Sequence, residues 1–348
     1  MFSRNCPCGT KVVVTFLGYV ASYADRSADL PGVGKPGVWG SMKRLGKVIR
    51  SVQAFSRELS GWAIPPAPTR CPGIALALGG GFARGIAHIG VLKVLEEENI
   101  PVCMVAGTSV GAILGAAYCS GLSIAELEDL ASRVRFTTFA RWTLSRYGFA
   151  TNNRMVSFLS QTLKARTFEE MRIPFAVTAT DFNTGEGVVF TSGSVIDPVR
   201  ASCAYPGMFL PVEIDGRRLV DGMLSHPVPT RPLRMMGAER VLGVHLKGQW
   251  SKSTAPRHLF DVIGQSFAIA QDQMAGVWRT AADLVIEPDV AGFDYDDFTR
   301  SRELIRVGAE AMRSALPTVR QWFEAPVEAT NPQKAIPLLR RPAPMPAD

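Results

Sequence analysis

Gly107-Thr-Ser109-Val-Gly111 interrupts an apolar run that starts at Val105 and continues as Ala112-Ile-Leu-Gly-Ala-Ala117. A G-x-S-x-G pentapeptide between a strand and a helix is the pattern of a nucleophile elbow: the serine stands exposed on a sharp turn, and the glycines keep side chains away from it. A serine hydroxyl is a poor nucleophile at neutral pH, so Ser109 needs a base for its proton and donors for the oxyanion that follows attack on a carbonyl. Gly79-Gly-Gly-Phe-Ala-Arg-Gly85, placed between a strand and a helix start, can supply the donors. Its backbone N–H groups can converge on an anion that the helix dipole also favours. Arg84 would add positive charge or brace the loop. Nucleotide binding fits poorly, because no G-K-[ST] follows and Phe82 and Arg84 break a G-x-G-x-x-G register.

Two kinds of base are available. Asp221-Gly222 ends a short strand, where the carboxylate could take the serine proton directly and Gly222 would leave space; an Asp-Gly pair alone reads equally well as a turn. The four histidines are His88, His226, His245 and His258. The order Ser109, Asp221, then a histidine is also that of an α/β-hydrolase triad. Against that, His245 lies in an apolar strand, His226 is wedged between Ser225 and Pro227, and His258 opens a helix. Cys203 sits in an apolar helix without a neighbouring histidine and reads as core. Asp294, Asp296 and Asp297 lack the calcium-loop pattern and read as a solvated loop.

These groups must be held by regular elements. Ile74–Leu78 and Val102–Ala106 are buried strands joined by a helix over Ile86–Glu98, a βαβ unit that implies a parallel pair. Ser123-Ile-Ala-Glu126 and Thr167-Phe-Glu-Glu170 have capping-box spacing and predict helix starts. Phe175–Thr180 and Gly187–Phe190 read as strands around a turn at Asn183-Thr-Gly185. A helix over Ile196–Ala204 is stopped by Pro206; Arg218–Val220, Arg240–Leu246 and Leu284–Ile286 are further strands, with helices over about 259–282 and 300–315. Ile100–Ala125 carries no charge, but its glycines, Pro101 and hydroxyls suit a buried strand, turn and helix better than a membrane span.

The chain has 348 residues, 47% of them hydrophobic, enough for a large core. Its net charge of +7 is uneven: residues 1–70 hold ten Lys/Arg against three Asp/Glu, while the remainder holds 28 of each sign. The basic excess suits peripheral contact with an anionic membrane, and the absence of nucleic-acid-binding patterns argues against nucleic acid as a partner. Cys6, Cys8, Cys71, Cys103, Cys119 and Cys203 show neither a disulfide framework nor zinc spacing, so reduced thiols are expected. Val12–Ala24 weakly resembles a signal peptide but is interrupted by Thr15, Gly18 and Ser22. The expected location is cytoplasmic and peripheral at the membrane, with secretion left open. A translation start at Met42 would leave residues 1–41 outside the natural protein. Met42–Leu59 has the spacing of an amphipathic surface helix, and Trp62–Pro68 is a proline-stiffened linker. Residues 1–70 thus read as a basic extension and linker, 71–320 as the main domain, and 325–348, with six prolines, as a tail.

Taken together, Leu78-Gly-Gly-Gly-Phe-Ala-Arg-Gly-Ile-Ala-His-Ile-Gly90, Gly107-Thr-Ser-Val-Gly111, Arg200-Ala-Ser-Cys-Ala-Tyr-Pro-Gly207 and Val220-Asp-Gly222 resemble the patatin-like phospholipase family of lipid acyl hydrolases. The resemblance covers about Gly73–Leu316. It implies a three-layer α/β/α fold with a mainly parallel central sheet. It also implies Ser109 as nucleophile, Asp221 as its partner in a Ser-Asp dyad, an oxyanion hole near Gly80 and Gly81, a lipid or acyl-ester substrate, and no metal or organic cofactor. Two positions depart from the family pattern: Phe82 stands where glycine is usual, though it still offers an N–H to the oxyanion hole, and Met223 stands where Ala or Gly follows Asp-Gly. The alternatives are an α/β-hydrolase esterase with a histidine base, and a catalytically silent relative that binds lipid or a partner protein.

Overall fold

The computed structural model describes residues 72–145, 148–247 and 259–324. The expectations for residues 1–70, for the tail from 325, for Cys71 and for His258 lie outside the described residues. The elements in chain order are β1 (Ile74–Leu78), α1 (Ala87–Glu97), β2 (Val102–Thr108), α2 (Val110–Cys119), α3 (Ile124–Arg133), α4 (Phe136–Phe139), β3 (Arg141–Ser145), β4 (Gly148–Thr151), α5 (Arg154–Thr162), β5 (Phe175–Asp181), β6 (Gly187–Phe190), α6 (Ile196–Ser202), β7 (Gly207–Phe209), β8 (Val212–Ile214), β9 (Arg217–Asp221), α7 (Thr230–Met235), β10 (Val241–Val244), α8 (Leu259–Arg279), β11 (Leu284–Ile286) and α9 (Ser301–Glu324).

The main sheet has the order β11-β10-β1-β2-β5-β9-β8, with β6 also on β5. The first four pairings along that order are parallel, and β9, β8 and β6 add antiparallel strands. In β1 the large residues Ile74, Leu76 and Leu78 share a core with α1, α2 and α9. The small residues Ala75 and Ala77 join Leu233 of α7 and Trp278 of α8 in the opposite core. Alternating side chains thus serve two apolar layers, and helices cover both faces of the sheet. This is the expected α/β architecture with a mainly parallel sheet.

Strand register brings the site together. Leu78 lies opposite Gly107, Thr108 opposite Thr178, and Ala179 opposite Asp221. The glycine loop after β1, Ser109 after β2 and the end of β9 therefore meet at one edge, outside the carboxyl ends of the parallel strands, where open α/β sheets bind ligands. The uncharged run from Ile100 is β2, elbow and α2. Among the described residues, no helix is long and apolar enough to cross a membrane.

Several elements differ from the sequence expectations. The Thr167–Glu170 capping box closes a single 3-10 turn, Phe168–Glu170, because Pro174 and the start of β5 follow at once. The helix after the glycine loop is preceded by a 3-10 turn over Phe82–Ile86. Helix α9 runs on to Glu324 with Pro317 inside it. A second sheet, β3-β4-β7, was not legible: its strands are short, and their pattern is broken by exposed Trp142 and Phe149.

Candidate active site

Only Ser109 separates β2 from α2, and the reversal forces it to φ 54°, ψ −122°, a conformation L-residues rarely adopt. Such a backbone costs about 1–3 kcal/mol and persists where the surroundings over-determine it. Here they do. A Cβ on Gly107 would fall on the Gly111 carbonyl, and one on Gly111 would fall on the Leu78 carbonyl, so the outer glycines of the pentapeptide are packing requirements. The Ser109 N–H donates to Ser202 Oγ at 2.8 Å, which ties the elbow to the end of α6.

The Ser109 hydroxyl donates to Asp221 Oδ2 at 2.8 Å. Asp221 is fixed at three other points: its N–H donates to Ala204 O (3.0 Å), its carbonyl accepts from Thr180 Oγ1 (3.0 Å), and its Oδ1 accepts from the Met223 N–H (2.9 Å). It is 1% exposed, and burial raises its pKa from 3.8 to about 7 against the two hydrogen bonds that pull it down. A carboxyl poised there can take and return a proton near neutral pH. Gly222 makes room for the Thr178 carbonyl, which a Cβ would strike, rather than for the serine.

The glycine loop approaches from β1. Gly79 and Gly80 donate their N–H groups to Val244 O (3.1 Å) and Pro227 O (3.2 Å), and His88 Nε2–H donates to Gly79 O at 2.8 Å. Full burial holds His88 near pKa 4, so its ring is neutral at physiological pH. Gly80 is therefore turned toward Pro227. Of the three loop amides expected to face an anion, that of Gly80 is thus engaged, and those of Gly81 and Phe82 remain without an acceptor among the described residues. What Gly80 provides is close approach: a Cβ there would lie 2.5 Å from Met223 Sδ and 3.3 Å from Ser109 Cβ. Phe82 adopts φ 52°, the left-handed region that glycine would enter without strain. Its ring is set edge-on against Tyr205 (centroids 4.9 Å apart) and Tyr295 (5.8 Å). Arg84 is buried and donates through Nε to Phe293 O at 2.8 Å, while the Ala83 N–H donates to Tyr295 O at 2.9 Å; Arg84 thus braces the loop.

Among the described residues, no histidine is hydrogen-bonded to the Ser109 hydroxyl. His226 Nδ1 pairs with Ser225 Oγ (3.1 Å), and its carbonyl accepts from Thr108 Oγ1; His245 Nδ1 pairs with Glu287 (2.8 Å). Cys203 is buried beside the site, where burial and the Asp221 charge push its thiol pKa up. Among the described residues, no group of three or more His, Cys, Asp or Glu side chains could hold a metal. Sequence reasoning missed Ser202 and Thr180 as supports; Ser202, a hydroxyl inside the apolar Arg200–Tyr205 block, was the available signal.

A cavity opens at Ser109, lined by apolar side chains including Ile113, Val134, Phe136, Phe158 and Phe209. A second lies at Gly80, Gly81 and Met223 and carries Arg84, His245 and Gln271 on its wall.

Residues 76–234 match a family model described as Patatin-like phospholipase. An uncharacterized NTE family protein of Mycobacterium tuberculosis is 34% identical over 180 residues, 51% of this chain and 50% of that protein. A lysophospholipase of Mycosarcoma maydis is 29% identical over 225 residues, 63% of this chain and 12% of that protein. The chain thus spans about half the length of the mycobacterial relative and far less of the fungal one. Among solved structures, VipD from Legionella pneumophila superposes with a TM-score of 0.50 and 12% identity, covering 72% of this chain and 68% of that one. At that identity the likeness is one of fold.

Proposed function

We propose that the chain, whose residues 76–234 match the patatin-like phospholipase model, is a serine lipid acyl hydrolase of that family, cleaving fatty-acyl esters of phospholipids or related lipids through Ser109 and Asp221. Ser109 Oγ attacks the acyl carbonyl carbon as its proton passes to Asp221 Oδ2. The oxyanion is held by the N–H groups of Gly81 and Phe82. As the tetrahedral intermediate collapses, Asp221 delivers the proton to the departing alcohol oxygen and leaves the acyl group as an ester on Ser109. Water then attacks that ester, Asp221 takes its proton, and the fatty acid departs as the proton returns to Ser109.

The observation that carries this reading is the 2.8 Å hydrogen bond from Ser109 Oγ to a carboxylate that burial raises to about pKa 7. The histidine-base alternative has less support, since His226 and His245 are engaged elsewhere. The apolar cavity at Ser109 suits a fatty-acyl chain. The basic excess of residues 1–70 suits contact with an anionic lipid surface.

The test is a lipid-class hydrolysis screen of wild type beside Ser109→Ala and Asp221→Asn, with labelling by a fluorophosphonate. Hydrolysis and labelling by wild type, both lost in Ser109→Ala, are expected. An unlabelled wild type, under conditions where a control serine hydrolase reacts, would sink the proposal and favour a silent lipid-binding relative.

A further inference from the structure

The two cavities are unlike each other and meet at one side chain. Ser109 lines the first, whose other walls are almost wholly apolar. The second lies at Gly80 and Gly81, and its wall includes Arg84, His245 and Gln271. The Gln271 Nε2 is buried with no hydrogen-bond partner. Arg84 is 9% exposed, and its hydrogen bond is made through Nε. Among the described residues, Phe82 alone lines both cavities. Its ring is wedged against Tyr205 and Tyr295, and its backbone is held at φ 52°. A phenylalanine in the left-handed region is a local cost that glycine would avoid; what the ring supplies here is a wall.

We propose that Phe82 is a specificity-determining residue: its ring confines the acyl chain to the cavity at Ser109 and leaves the alcohol half of the ester to the second, more polar cavity at Gly80 and Gly81. The inference rests on the acyl-hydrolase reading above. An ester at Ser109 has its carbonyl oxygen toward the Gly81 and Phe82 amides, and its two substituents must diverge around the Phe82 ring. A small polar alcohol such as glycerol can meet Arg84, His245 and Gln271. A long alkyl alcohol would leave the Gln271 Nε2 unpaired and offer Arg84 and His245 nothing beyond Phe293 and Glu287, and Phe82 bars it from the apolar cavity. Sites whose polar groups go unpaired discriminate far more sharply than those that differ by a methylene.

Wild type, Phe82→Ala and Phe82→Leu are compared on monooctanoylglycerol and octyl octanoate, which share an acyl group, in the same detergent micelles. The ratio of kcat/KM, glycerol ester over octyl ester, is expected to fall by about tenfold or more in Phe82→Ala and by less in Phe82→Leu. Because the ratio is taken within one protein, a general loss of rate from disturbing the Phe82 amide cancels. A ratio unchanged within about twofold in Phe82→Ala overturns the proposal. If Phe82→Ala fails to fold, Tyr205→Leu, which unseats the ring without altering residue 82, is scored by the same ratio. A wild type that hydrolyses neither ester refutes the hydrolase reading instead. The wall is then tested by calorimetric binding of 1-O-octylglycerol and dioctyl ether, whose affinity ratio must shift in the same direction in Phe82→Ala or the proposal fails.

Discussion

Replacing Asp221 with asparagine should abolish hydrolysis and also change how stability depends on pH, because both effects come from the same buried proton. Burial raises the Asp221 carboxyl from 3.8 to about 7, so the folded chain binds this proton more tightly than the unfolded chain does. The group therefore adds stability that is fully present below the unfolded pKa and is lost as pH rises to about 7. A shift of about three units corresponds to about 4 kcal/mol over the whole range. With Asp221 only 1% exposed, solvent screening removes little of it. Between about pH 5 and about pH 8, wild type should lose about 3 kcal/mol relative to Asp221→Asn, which has no proton to release there. Urea denaturation of both proteins at each pH measures this, and the difference between them cancels every other titrating group. In the same window kcat/KM of wild type should climb along a limb centred near pH 7, since the base must be ionised to accept the serine proton. Activity is thus gained where stability is lost. A difference that stays constant within about 0.5 kcal/mol, or a limb centred near the ordinary carboxylate range, would refute the reasoning.

The elbow's strain predicts that Ser109→Gly is more stable than Ser109→Ala by about 1–2 kcal/mol in the same denaturation assay, since both lose the hydroxyl and only glycine relaxes at φ 54°. Gly80→Ala places a Cβ against Met223 and Ser109; kcat/KM should fall about tenfold or more, and Met223→Ala should restore part of it, a coupling that a double-mutant cycle reads directly. His226→Gln and His245→Gln should leave the ascending limb near pH 7 whatever they do to the rate, because burial holds His226 near pKa 4 and also depresses His245; a limb displaced in either variant would restore histidine as the base. Ser202→Ala removes the acceptor of the Ser109 N–H and should lower kcat about tenfold with little change in KM, as expected for a residue that positions the nucleophile.

What the sequence made legible was local. Ile74–Leu78 and Val102–Ala106 are apolar runs bounded by glycines or proline, and a buried parallel strand needs little else. Ser123 and Glu126 form a complete capping box on α3, because the apolar positions that follow have a core to enter. Thr167 and Glu170 make the same box, but nothing after Met171 continues the helix, so the motif marks a turn only. The spacing around Ser109 made the strand, sharp turn and helix legible because the glycines answer to backbone contacts within one βαβ unit. Which amides of the glycine loop remain without an acceptor was not legible. That depends on Pro227, far along the chain, accepting from Gly80. Likewise the support from Ser202 to the Ser109 N–H depends on how α6 docks against the elbow, which no local pattern encodes.

The pairing of Ser109 with Asp221 is in the end a matter of register. Ser109 follows the last residue of β2, Thr108, which lies opposite Thr178 of β5; one residue further along β5, Ala179 lies opposite Asp221. β5 continues past that level to Asp181, and β9, antiparallel to it, returns from Leu219 opposite Asp181 to end at Asp221 beside Ala179. The return of β9 along the overhanging end of β5 is thus what brings the carboxylate of an Asp-Gly turn to the level of Ser109. Side chains alternate faces along a strand, so slipping β9 by one residue would turn the residue beside Ala179 to the other face and leave Ser109 without its acceptor. The Asp221 N–H to Ala204 O bond, the Thr180 hydroxyl on the Asp221 carbonyl and the Gly222 contact with Thr178 all oppose that slip. These supports fix a carboxyl that burial destabilises when charged, as the adjoining elbow fixes a serine backbone that sterics disfavour. The site's two costs, one electrostatic and one conformational, are thus held by the same sheet edge that supplies its geometry.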